Sequence, residues 1–141
     1  MTPRQVELIR ESWTSLEPVQ DVTAALFYAR LVELDPALGR LFRNADMDQQ
    51  NKILMQTLTV VVKSLDRLDQ LVPAIEALGR RHAGYGVRAD HYETGGTALL
   101  WALSRSLGEA FTPETEHAWT VTFSTLASVM IGAAQGEAVA A

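Results

Sequence analysis

The chain has 141 residues, no cysteine and a formal net charge of −5. This length fits one domain with a substantial core, and the absence of cysteine excludes disulfides, zinc–thiolate sites and iron–sulfur clusters. An acidic chain without a large basic cluster is a poor candidate for binding nucleic acid or an anionic membrane. The sequence has no apolar run near the ~20 residues of a membrane span and no signal peptide. We therefore expect a cytoplasmic protein.

Helical periodicity runs through almost the whole chain, and several helix starts carry capping signals. Thr2-Pro3 with Gln5 three residues after the threonine is a capping box with proline in the first turn. Asp90 followed by Glu93 has the same spacing. The predicted helices cover residues 3–16, 19–34, 36–42, 48–65, 69–82, 90–107 and 113–131.

The end of the chain is composed of small residues and is punctuated by glycine. We therefore expect a domain over residues 1–131 and a frayed tail over 132–141. The pattern predicts an all-α fold. Periodicity alone does not choose among the all-α folds, whereas polar residues on the apolar helix faces can.

Tyr28 lies on the apolar face of the second predicted helix, in line with Ala24, Ala25 and Leu31. A phenol that points inward beside small residues leaves room for another group. The alternative is an ordinary core tyrosine whose hydroxyl bonds to a backbone carbonyl.

Gln50 heads an otherwise apolar stripe that includes Leu54 and Val61. A buried amide without partners costs a few kcal/mol, so some group should meet it. The alternative is that Gln50 lies in a first turn that is open to water.

His82 continues the apolar stripe of Leu71, Ile75 and Leu78 in steps of three and four residues. It therefore points where the apolar side chains point. Histidine is the commonest metal ligand. The alternative is a histidine that caps the last turn of its helix.

Taken together, these residues resemble the single-domain bacterial globins related to the flavohaemoglobins, in a subgroup with a tyrosine–glutamine distal pair. The resemblance covers nearly the whole chain. The segments that carry it are Glu11-Ser12-Trp13, Leu26-Phe27-Tyr28-Ala29, Leu41-Phe42, Lys52-Ile53-Leu54-Met55-Gln56, Leu78-Gly79-Arg80-Arg81-His82, Tyr85-Gly86-Val87, His91-Tyr92 and Ala118-Trp119.

The resemblance implies a globin fold, a three-over-three helical sandwich around one non-covalent haem b (iron protoporphyrin IX). His82 would be the proximal iron ligand, with its other ring nitrogen donating to a backbone carbonyl of its own helix. Phe42 would pack on the haem face and Val87 would touch its proximal side. The distal residues would be Tyr28, Gln50 and Leu54.

Other residues have secondary roles by the same resemblance. Tyr92 matches a tyrosine that joins a proximal network with a glutamate of the last helix, but counting along that helix arrives at Ala134, and Glu137 lies three residues further. Arg81 and Lys52 are candidates for pairing with haem propionates. His91 and His117 read as surface residues.

Two functions share such a pocket. The first is reversible binding of O2, and also of NO and CO, at ferrous iron. The second is NO dioxygenase activity, which needs an electron source; because the chain has 141 residues, we expect any reductase to be a separate protein. Weak peroxidase activity would depend on the Tyr92 network. A haem-free sensor is a third reading, against which His82 and Phe42 argue together.

Overall fold

The computed structural model describes residues 1–140, with side chains described as far as residue 136. The α-helices are α1 (Pro3–Leu16), α2 (Gln20–Leu34), α3 (Met47–Lys63), α4 (Leu68–Gly84), α5 (Ala89–Leu107) and α6 (Pro113–Ala140). Short 3-10 helices lie at Glu17–Val19, Pro36–Phe42, Leu65–Arg67 and Gly108–Ala110. No strand occurs within residues 1–140, and the all-α prediction is confirmed. Within the same residues, no helix has both the length and the apolar character that crossing a membrane requires.

Two of the predicted elements differ from the observed ones. The segment Pro36–Phe42 is a 3-10 helix, started by Asp35, whose carboxylate accepts from the backbone N–H of Ala37 at 3.2 Å. The last helix does not end near residue 131, since α6 continues to Ala140. Its glycines have no positive φ, so they do not break the helix. The division into a domain over 1–131 and a frayed tail over 132–141 stays a prediction.

Two of the capping patterns predicted from the sequence can be compared with the observed helix starts. The Thr2–Gln5 capping box is present, with both reciprocal hydrogen bonds. The start of α5 is different from the predicted one, because the ring Nδ1 of His91 accepts from the backbone N–H of Arg88 at 2.9 Å. The helix therefore begins after Arg88, and the side chain that reaches back to the cap is His91 and not Glu93.

The helices pack in a globin-type sandwich, in which α2 contacts α3 and α5, and α6 contacts α1, α4 and α5. Helix α2 packs along α5, and α4 packs along α6. The centre of the core joins α1 to α6, where the rings of Trp13 and Trp119 lie 5.9 Å apart. The buried indole N–H of Trp119 donates to the hydroxyl of Ser12 at 2.9 Å. The fold thus satisfies its largest buried polar side chain internally.

Removing the Ser12 hydroxyl should destabilise this core. In Ser12→Ala the buried indole N–H of Trp119 loses its acceptor, and an unsatisfied buried donor costs about 1–3 kcal/mol. We expect the free energy of unfolding, measured in urea, to fall by that amount. Ser15→Ala is the matched control on the same helix: Ser15 is exposed, and a surface change should stay within about 0.5 kcal/mol. Equal values for the two variants would contradict the assignment.

Candidate functional site

Tyr28 is buried on the inner face of α2, with only 8% of its surface exposed. Its ring makes edge contacts with two phenylalanines, at 4.9 Å between centroids for Phe27 and 5.1 Å for Phe42. Ala98 of α5, fully buried, belongs to the same apolar cluster. These contacts fix the ring, so the phenol oxygen has a defined position.

Gln50 reaches that oxygen from the first turns of α3. Its Nε2 donates to the Tyr28 hydroxyl oxygen at 3.1 Å, across two helices. The half-buried amide therefore has a protein partner. Because Gln50 donates to the phenol oxygen, the phenol's own proton remains free to be donated to a third group.

The protonation state of Tyr28 follows from its surroundings. Burial raises the pKa of Tyr28, and the hydrogen bond from Gln50 acts in the opposite direction to a smaller extent. The hydroxyl accordingly keeps its proton well above neutral pH. The pair presents a neutral O–H donor among apolar side chains.

His82 lies in the last turn of α4 and is half-buried. Its Nδ1 is 2.9 Å from the carbonyl oxygen of Leu78, one turn earlier. That bond assigns the ring proton to Nδ1 and leaves the lone pair of Nε2 available. Burial lowers the pKa of His82, and the nearby charge of Arg81 lowers it further, against the opposing effect of the Leu78 carbonyl. A neutral imidazole is the form that ligates a metal.

Tyr92 and Val87 lie on the His82 side. The rings of Tyr92 and His82 are nearly parallel, 6.4 Å apart and inclined by 28°. Tyr92 and Val87 also line a small cavity with Ala134 and Gln135 of α6. Among the described residues, the Tyr92 hydroxyl has no hydrogen bond to His82. The side chain of Glu137 lies outside the described residues, so its predicted place in a proximal network stays a prediction.

The remaining predicted site residues fall into two groups. Phe42 and Leu54 are half-buried and pack against the cluster that contains Tyr28. Arg81 and Lys52 are exposed, and their predicted pairing with propionates stays a prediction. The structure thus brings Tyr28, Gln50, Phe42 and Leu54 together, and it brings His82 close to Tyr92.

His91 was expected at the surface, and that expectation is wrong. The side chain is buried, with 8% exposed. Besides capping α5, its Nε2 lies 3.9 Å from the carboxylate of Asp35. It thereby links the start of α5 to the corner before Pro36–Phe42. The available sequence signal was its place in the first turn of α5, from which a ring nitrogen can reach back to the cap.

The donor set fits a haem. Helix α4 offers a single neutral imidazole with a free Nε2, and helix α2 offers a buried phenol that is held by an amide. Apolar side chains, among them Phe42 and Leu54, accompany the phenol. This is the arrangement by which haem proteins separate an axial ligand from a distal pocket that sets ligand chemistry.

A comparison with protein families identifies the class. The globin family model matches residues 25–130, and the chain belongs to the globin family. Membership in this family implies haem binding. The globin-like fold that the sequence resemblance implied is therefore confirmed.

Three relatives illustrate the similarity. The flavohemoprotein of Bordetella parapertussis is 29% identical over 134 residues, which are 94% of this chain and 33% of that protein. The chain therefore spans about a third of the length of this relative. Neuroglobin of Danio rerio is 31% identical, over 87% of this chain and 86% of its own. An engineered carbene transferase from Rhodothermus marinus, built on a protein assigned as a nitric oxide dioxygenase, superposes with a TM-score of 0.86 at 27% identity, over 99% of this chain and 97% of that one.

Replacing Gln50 should change the titration of Tyr28. In Gln50→Leu the phenolate loses a hydrogen-bond donor while burial remains, so the pKa of Tyr28 should rise further. Tyrosine-labelled NMR of the haem-free protein during a pH titration measures this shift. Gln49→Leu, which changes the exposed neighbouring glutamine, is the control. An unaltered titration in Gln50→Leu would show that the amide does not act on the phenol.

Proposed function

We propose that this protein binds haem b, iron protoporphyrin IX, without a covalent link and uses it to bind O2 reversibly, with NO and CO as further ligands. A ferrous haem, once bound, supplies the iron site at which a diatomic gas binds. The observation that carries the proposal is the hydrogen bond from Gln50 to the buried Tyr28. Because Gln50 donates to the phenol oxygen, the hydroxyl proton of Tyr28 remains free to be donated to a ligand.

His82 is the residue that would hold the iron, through Nε2. The bond from Nδ1 to the Leu78 carbonyl orients the ring and increases the basicity of the ligating nitrogen. Because burial lowers the pKa of His82, protons compete for the imidazole only at acid pH.

Tyr28 and Gln50 would control how long a gas ligand stays. The Tyr28 hydroxyl donates to the ligand, and a ligand oxygen with partial negative charge accepts a stronger bond than a neutral one. Gln50 holds the phenol in place from the other side of its oxygen. Phe42 and Leu54 exclude water from the pocket, which strengthens the hydrogen bond further.

Loss of the proximal imidazole should strongly weaken haem binding. For His82→Ala we expect haem affinity to fall by more than the ~10–100-fold typical of losing an outer-shell partner. Visible spectra of the ferric, ferrous and CO forms during haem titration measure this. His117→Ala, which changes an exposed histidine, is the control. Unchanged absorption bands and affinity in His82→Ala would refute the ligand assignment.

Loss of the distal donor should speed O2 release. Tyr28→Phe removes the hydroxyl and little else, and we expect the O2 dissociation rate to rise at least about tenfold, equivalent to ~1.4 kcal/mol. Stopped-flow displacement of O2 measures the rate. Tyr85→Phe is the control, since Tyr85 is 68% exposed. A rate that stays at the wild-type value would remove Tyr28 from the ligand site.

NO dioxygenase activity is the second candidate function, and the similarity to flavohemoproteins along 94% of the chain favours it. In that reaction NO and O2 combine with an electron to give nitrate, so we propose a reductase as the electron donor. Nitrate formed over many turnovers with a reductase supplied distinguishes this enzyme from a gas-binding protein.

The described contact of Tyr92 with His82 is a ring contact and gives no support to peroxidase chemistry. A cytoplasmic location stays a prediction.

A further inference from the structure

Gly79 lies at a close crossing of two helices. It is buried in α4, one residue after Leu78 and three before His82. A Cβ at this position would lie 2.5 Å from the carbonyl oxygen of Met130 and 2.6 Å from its Cα. The backbone of α4 therefore approaches the backbone of α6 as closely as only a glycine permits.

The nature of the opposing atoms distinguishes this glycine from the others. At Gly96 an added Cβ would meet the side chain of Phe123 at 2.7 Å, and a side chain can rotate away. At Gly79 the opposing atoms belong to the α6 backbone, which is held by its own helical hydrogen bonds. Relief at Gly79 must therefore come from moving one helix relative to the other.

The position of the crossing links it to the imidazole. The segment of α4 from Leu78 to His82 is one helical turn, and it is closed by the bond between the His82 Nδ1 and the Leu78 carbonyl. Such a turn moves as a unit. Pro73 lies earlier in α4 and removes a backbone hydrogen bond there, whereas the second half of the helix is in backbone contact with α6 at Gly79.

We propose that Gly79 is a positioning residue for His82: its contact with the Met130 backbone sets how far the imidazole lies from α6 and from the haem iron. The inference rests on the proposed function of His82 as the iron ligand. Ordinary contact with a Cβ begins near 3.4 Å, so a methyl group at residue 79 displaces α4 by about 1 Å. A displacement of that size costs a preorganised site much of its effect.

The test is Gly79→Ala, studied with haem bound. We expect a lower iron–histidine stretching frequency in the resonance Raman spectrum of the ferrous protein, and a rate of haem loss at least about tenfold higher, as for other outer-shell changes. In the haem-free protein, nuclear Overhauser effects between the rings of His82 and Tyr92, which lie 6.4 Å apart between centroids, should weaken.

Two alanine variants separate positioning from general damage. Gly132→Ala adds a methyl group on α6 that no other described part of the chain approaches within 4 Å. Gly96→Ala introduces a close contact at the crossing of α5 and α6, 2.7 Å from the side chain of Phe123. Both should keep the wild-type stretching frequency, even if Gly96→Ala lowers the free energy of unfolding.

A second background tests whether the effect passes through His82. In His82→Gly with free imidazole supplied, the ligand is no longer attached to α4, so adding Gly79→Ala should leave the iron–imidazole frequency unchanged. A shift that persists in this background would overturn the inference, because Gly79→Ala would then act on the pocket as a whole and not through the attachment of His82 to α4.

The remaining outcomes are distinguishable. A wild-type protein that takes up no haem overturns the proposed function and the inference with it. A wild-type protein with an iron–histidine band that Gly79→Ala leaves in place, with the same rate of haem loss, overturns the inference alone. A Gly79→Ala chain that does not fold with haem present, while Gly96→Ala folds, also overturns it, because the crossing would then serve the fold and not the imidazole.

Discussion

The hydrogen bond between the His82 Nδ1 and the Leu78 carbonyl is the constraint from which the rest of the candidate site follows. It assigns the ring proton, and with it the nitrogen that remains free to bind a metal. The bond is local to one turn of α4, so the position of the imidazole is the position of that turn. That turn contacts α6 at Gly79. The position of the imidazole therefore depends on how α4 packs against α6.

The opposite side of the site is built from two helices instead of one. Tyr28 comes from α2, Gln50 from α3, and their hydrogen bond joins residues 22 positions apart. Phe42, the last residue of the 3-10 helix Pro36–Phe42, makes an edge contact with the phenol ring. On its own helix, each of these two polar groups lies on an apolar face and has no hydrogen-bond partner there. Their meeting satisfies the amide and orients the phenol, so polar groups that would destabilise a plain core are accommodated here.

Burial acts on the two sides in complementary ways. It lowers the pKa of the His82 imidazole and raises the pKa of the Tyr28 phenol, because in both cases it disfavours the charged form. At neutral pH the site therefore presents a neutral nitrogen base on one side and a neutral O–H donor on the other.

The sequence by itself determined the features that depend on neighbours within one or two turns. The all-α fold, the Thr2–Gln5 cap and the apolar stripes that carry Tyr28, Gln50 and His82 all follow from spacings of three and four residues. These spacings also predicted most helix limits, and the family resemblance supplied the pairing of Tyr28 with Gln50.

Only the tertiary structure decided the rest. His91 is buried, and Asp35, from a distant part of the chain, lies beside its ring. The crossing of Gly79 with Met130 joins two helices far apart in sequence, and a glycine inside a helical pattern carries no sign of what it will face. Periodicity records which face of a helix is apolar, but it does not record which helix covers that face or how closely.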